Sequence, residues 1–131
     1  MLHLQVQSNF DFITLLILNF IGLVEYKNGT KKLIVTGGYQ SDFLSSTEEL
    51  DLDTLQWNAG TDLPEALDFG ASVQFKDSFL AISGYSGFGF SNKIYEYNRD
   101  SGDWIKRNET LITGRDTFAA FLVPEQVTNC N

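Results

Sequence analysis

The chain contains two copies of one pattern and the start of a third. "NFIGLVEYK" from Asn19 aligns with "DFGASVQFK" from Asp68 at an offset of 49, placing Phe20 on Phe69, Val24 on Val73, Tyr26 on Phe75 and Lys27 on Lys76. "LIVTGGY" from Leu33 aligns with "FLAISGY" from Phe79 at an offset of 46, the difference being one longer turn, "NGTKK" against "DS". Trp57 and Trp104 follow 47 residues apart, and "DTFAAFLV" (Asp116 to Val123) begins a third copy 48 residues after Asp68. A period in the high forties means one supersecondary unit per period, and such a unit needs a neighbour to cover its apolar face.

Each unit reads as strands. Val24 and Tyr26 alternate with Glu25 and Lys27, Leu50 and Leu52 with Asp51 and Asp53, and Tyr95 and Tyr97 with Glu96 and Asn98. Period-two alternation marks a strand with one buried face. Asn28–Gly29 is a hairpin signal because both residues tolerate positive φ, and "NRDSGD" from Asn98 is a second turn. The expected strands are about 22–27, 33–37, 48–53 and 56–60 in the first unit. In the second they are about 70–76, 79–83, 93–98 and 103–107, with a partial third unit from about 117. The organisation is then an apolar leader (1–18), a first repeat (19–67), a second (68–115), and the start of a third with a tail (116–131).

An apolar strand ending in paired glycine and then tyrosine, an aromatic third strand, and a tryptophan opening the fourth together resemble the kelch repeat of β-propellers. Gly37, Gly38, Tyr39 and Trp57 carry the resemblance in the first repeat, and Gly84, Tyr85, Tyr97 and Trp104 in the second. It covers residues 20 to 123 or so. The departures are Ser83 in place of the first glycine of the second pair, Leu52 where Tyr97 stands, and no Arg-His pair before either first strand. The resemblance implies an all-β fold: two four-stranded antiparallel blades and part of a third, from a kelch-type propeller. Propellers close with about four to eight blades. Two blades leave apolar faces unpaired, so the expectation is a fragment of a larger propeller, or self-association through the open faces.

The polar residues narrow the chemistry. Nine basic residues against seventeen acidic ones give a net charge of −8, which disfavours nucleic acid and anionic lipid. His3 is the only histidine and Cys130 the only cysteine, so no metal or cofactor set and no Ser-His-Asp triad is expected. Cys130 reads as an unreactive residue, or as a partner for a cysteine elsewhere. Glu48, Glu49, Asp51 and Asp53 cluster, with Asp51 and Asp53 on one strand face; a solvated outward face is expected rather than acid–base work. The leader's apolar run, Phe10 to Leu23, is shorter than the ~20 residues that span a bilayer. It lacks a basic residue before it and a small-x-small cleavage site after it, so no membrane span is expected and the compartment is unspecified. "NGT" at Asn28 and "NET" at Asn108 fit the N-glycosylation acceptor pattern.

"SGYSGFGF" from Ser83 has glycines like those of a phosphate loop, but no helix opens after it. It reads instead as a flexible loop carrying Phe88 and Phe90, beside "QSDFLSST" with Asp42 and Phe43. Both loops lie between a second and a third strand. In kelch-like propellers such loops line a docking face, and exposed aromatics suit interface hot spots. Phe88 and Phe90 could equally pack against an adjacent blade. The first functional reading is thus a non-enzymatic module binding a protein partner through Asp42, Phe43, Tyr85, Phe88 and Phe90. The alternative is a piece of a carbohydrate oxidase or sugar epimerase whose catalytic residues lie outside this chain. A third is a degenerate gene product with no role of its own.

Overall fold

The computed structural model describes residues 20–123. His3, Cys130 and the expected leader lie outside the described residues. Within them the chain forms two four-stranded antiparallel sheets and no helix. The first contains β1 (Phe20–Glu25), β2 (Lys31–Thr36), β3 (Thr47–Asp51) and β4 (Trp57–Ala59). The second contains β5 (Ala71–Phe75), β6 (Ser78–Tyr85), β7 (Phe90–Tyr97) and β8 (Trp104–Thr110). Strand order follows chain order in both sheets, as short turns between consecutive strands require.

One face of the first sheet packs on one face of the second. Phe20, Gly22 and Val24 point inward from β1, and the register places Thr36 and Ile34 beside Phe20 and Gly22. From the second sheet Phe79, Ala81, Tyr95 and Tyr97 meet them, and Leu63 and Leu67 of the connecting segment complete the core. Full burial of such side chains is worth about 1.5–3 kcal/mol each. Gly22 sets the approach distance, because a methyl there would lie 2.0 Å from Cγ of Phe79.

An aromatic group holds the middle of the interface. Phe79 stacks on Tyr97 with centroids 6.0 Å apart, and Trp104 meets both rings edge-on at 5.5 and 5.2 Å. The Trp104 indole N–H donates to the Thr61 carbonyl at 3.0 Å. The Tyr97 hydroxyl donates to Glu49 at 2.7 Å, and Lys32 pairs with the same carboxylate at 2.9 Å. Lys32 is held above the usual lysine range, chiefly by that hydrogen bond. Backbone edges add three bonds between the sheets: Ile21 N–H to Ser72 Oγ, Gln74 Nε2 to the Leu23 carbonyl, and Glu25 N–H to the Asp77 carbonyl.

Several expectations need correction. The strand ending in Gly84 and Tyr85 does not stop before them: β6 runs through Tyr85, with a register shift against β7 between Ile82 and Gly84. Such a bulge lets a strand absorb an irregular backbone and continue pairing. Leu50, not Leu52, is the counterpart of Tyr97, since Leu50 pairs with Trp57 as Tyr97 pairs with Trp104. β3 ends at Asp51, so Asp51 and Asp53 share no strand face. The Asp51 carboxylate accepts the N–H groups of Asp53 and Thr54 and closes the turn; these bonds hold its pKa below the usual carboxylate value. Glu49 is not on a solvated face either, because it is bonded inside the interface. At the first hairpin only Gly29 takes positive φ, 86°, and Asn28 Oδ1 accepts the Thr30 N–H instead. Residues 117–123 form no strand, as no strand among the described residues offers them a ladder.

Candidate functional site

The loops between the second and third strands of the two sheets meet at one end of the molecule. The first, residues 37–46, folds back on itself. Leu44 N–H donates to the Gly38 carbonyl, Gln40 N–H to the Asp42 carbonyl, and Tyr39 and Phe43 form an isolated bridge. The exposed Asp42 carboxylate accepts the Phe43 N–H at 2.8 Å, so its role here is to shape the loop. The second loop, residues 86–89, is a compact turn closed by Ser86 N–H on the Gly89 carbonyl.

These turns line up four rings. Tyr39 meets Phe43 edge-on at 5.2 Å, Phe43 meets Tyr85 edge-on at 5.5 Å, and Tyr85 meets Phe90 at 5.2 Å. Phe43 of the first sheet reaches the second because Gly87 leaves room: a methyl at Gly87 would lie 2.8 Å from the Phe43 ring. Edge-to-face pairs contribute about 0.5–1.5 kcal/mol each beyond their area, so the row also ties the two sheets together. Its ends are open, with Tyr39 48% and Phe90 57% exposed, and Phe88 stands wholly in solvent beside it.

The row rests on a buried base. Asp68 and Tyr85 exchange both backbone hydrogen bonds, at 3.0 and 2.8 Å. The Asp68 side chain is buried and accepts the Phe69 N–H at 2.8 Å. Burial pushes its carboxyl above the ordinary aspartate range, and the Phe69 bond pulls the other way. Nearby, Glu65 accepts the hydroxyls of Ser91 and Tyr95, each at 3.0 Å, and pairs with Lys93 at 3.3 Å. Burial first, and then the Glu65 charge, raise the Tyr95 phenol, which therefore stays a donor.

Among the sequence-expected contacts, the structure brings together Phe43, Tyr85 and Phe90, leaves Phe88 alongside, and places Asp42 at the loop's outer edge. Tyr39, read from sequence as a repeat-signature residue, also belongs to the row. The signal for it was present: a tyrosine follows the second strand in both repeats. Of the other signature residues, Gly37 and Gly38 begin the first loop and Gly84 lies near the end of β6, while Trp57, Tyr97 and Trp104 lie in strands away from these loops. Asn28 and Asn108 are exposed, one in the first hairpin turn and the other on β8. Among the described residues, no three His, Cys, Asp or Glu side chains converge as metal ligands, and no helix is long and apolar enough to cross a membrane. The exposed rings of this surface are Tyr39, Phe88 and Phe90.

The chain is thus an all-β protein of two packed antiparallel sheets with an aromatic loop surface. No protein-family model matches it. Over 90 residues, 68% of this chain, it is 31% identical to "Spermatocyte protein spe-26" of Caenorhabditis elegans. The aligned stretch spans 16% of that protein's length.

Proposed function

We propose that the chain is a non-enzymatic kelch-type β-propeller module that binds a protein partner through the aromatic row and Phe88. The row of four rings with an unshielded fifth beside it carries this reading. Rigid aromatic side chains with little entropy to lose are the residues that dominate interface energetics. The kelch assignment is supported by repetition of the backbone. Gly37 and Ser83 take φ of 71° and 59°, and Gly38 and Gly84 take 105° and 119°. In both repeats the N–H of the second residue donates to a carbonyl of the segment leaving that sheet, from Leu67 in one case and Arg115 in the other.

The test is affinity capture from the source tissue, compared between the unmodified chain, a Tyr39→Ala/Phe88→Ala/Phe90→Ala variant, and an Ile105→Ala control. A protein that is captured by the unmodified chain and the control, but reduced at least about tenfold on the triple variant, is the expected result. Equal capture by all three would refute the aromatic row as the binding surface. The intact mass of the natural protein, after glycan removal, tests the propeller reading separately. A mass well above that of 131 residues is expected for a chain carrying further blades.

A further inference from the structure

Twice within this chain a basic side chain lies over an aromatic ring and pairs with a carboxylate at the same time. Lys32 sits 5.4 Å over the Tyr26 ring and bonds Glu49 at 2.9 Å. Arg107 lies 5.5 Å over the Phe75 ring, and its guanidinium reaches Glu96 at 2.6 Å and Glu109 at 3.0 Å. A ring face attracts a cation, and a carboxylate beside it adds charge-assisted hydrogen bonds to the same cation. The aromatic row has two of these three parts. Its rings are Tyr39, Phe43, Tyr85 and Phe90, with Phe88 in solvent beside them. Its carboxylate is Asp42, which directly precedes Phe43 in the loop that the Tyr39–Phe43 bridge closes. Among the described residues, no cation lies over these rings and none pairs with Asp42. Asp42 is also the only charged residue of the two loops, 37–46 and 86–89, in a chain of net charge −8. One of its oxygens accepts the Phe43 N–H, and a carboxylate has further lone pairs to offer.

We propose that the partner supplies the third part: the aromatic row binds a segment of another protein that presents an arginine, its guanidinium laid on a ring of the row and paired with Asp42. This rests on the row being the docking surface, and charge complementarity chooses the occupant. An acidic segment would meet Asp42 with like charge, and a purely apolar one would cover the carboxylate without pairing it. Arginine suits the place better than lysine, because a planar guanidinium can stack on a ring while its edge donates to a carboxylate. Arg107 combines a ring and carboxylates in that way inside the chain.

The experiment is selection of random peptides displayed on phage against the immobilised 131-residue chain. Peptides that still bind the Tyr39→Ala/Phe88→Ala/Phe90→Ala variant are removed. Circular dichroism confirms that this variant is folded; where it is not, Phe88→Ser alone, at a wholly exposed position, takes its place. The surviving peptides are expected to carry arginine well above its frequency in the library. Their affinities are then measured by fluorescence anisotropy for the unmodified chain and for Asp42→Asn, which keeps an acceptor for the Phe43 N–H and loses the charge. Asp42→Asn is expected to bind them about threefold or more weaker, with a shallower dependence on salt. Changing the peptide's arginine to glutamine is expected to cost about tenfold. On that altered peptide the effect of Asp42→Asn should vanish, as a direct pair requires. Row-dependent peptides without arginine, or equal binding by Asp42→Asn, overturn this proposal and leave the row standing as a docking surface. A selection that yields no row-dependent peptide overturns both.

Discussion

Ser83 occupies the place that glycine fills in the first repeat, at φ 59°. A non-glycine residue there costs roughly 1–2 kcal/mol. Its hydroxyl offsets that cost by sharing its one proton between the carbonyls of Ser91 (2.6 Å) and Arg115 (2.8 Å) and accepting the Arg115 N–H at 2.9 Å. Ser83→Ala keeps the strain and loses the bonds, so a loss of about 2–3 kcal/mol in chemical denaturation is expected. Ser83→Gly relieves the strain and should lose about 1 kcal/mol less. Equal losses would mean that the backbone here is unstrained. Asp68 supplies a pH test. Its folded carboxyl titrates above its unfolded value, so between the two the folded state holds the extra proton. Stability therefore falls as pH rises through that window and is level above it. Asp68→Asn keeps an acceptor for the Phe69 N–H and removes the charge. It is expected to melt above the unmodified protein at pH 7, with the difference vanishing below about pH 4. A difference that is constant with pH would sink this account.

At the scale of elements, β1 can lie on β6 only because Gly22 has no side chain. Gly22→Ala is expected to destabilise by about 1–3 kcal/mol through overpacking, and pairing it with Phe79→Leu should recover part of the loss. A simple sum of the two single losses in a double-mutant cycle would argue against direct contact. Tyr97→Phe removes one partner of Glu49, with an expected cost of about 1 kcal/mol, since Lys32 still neutralises the carboxylate. Element positions were legible because alternation writes burial into the strands: Val24 and Tyr97 were placed inward from sequence, and inward they are. Strand ends were less legible. Gly84 and Tyr85 read as a stop, but a bulge opposite β7 carried the ladder through them. Asp53 read as strand, but hydrogen bonds from the turn to Asp51 closed the chain first.

For the whole molecule, the two sheets stabilise each other. Residues 20–67 alone would leave Phe20, Val24 and Ile34 uncovered, although all three are sealed in the full chain. That fragment is expected to show no cooperative melt by circular dichroism; a sharp transition would mean that one sheet suffices. The site also belongs to this scale. Phe43 was legible as a loop aromatic, whereas Phe90, read as loop, opens β7 opposite Tyr85; the distance between the two along the chain carries no hint of a shared surface. They are joined because the two loops leave the same end of adjacent sheets and Gly87 admits the Phe43 ring.

The repeat, the all-β character and the presence of aromatics around the turns after the second strands were readable from the residues alone. Periodicity and residue type are local properties, and they dictate which backbone each segment can adopt. Packing of one sheet on the other settled that Glu49 is a partly buried partner of Tyr97, that the Phe43 ring meets Tyr85, and which face of each sheet is covered. Those outcomes depend on contacts between residues 40 or more positions apart, and such contacts exist only after one sheet has packed on the other.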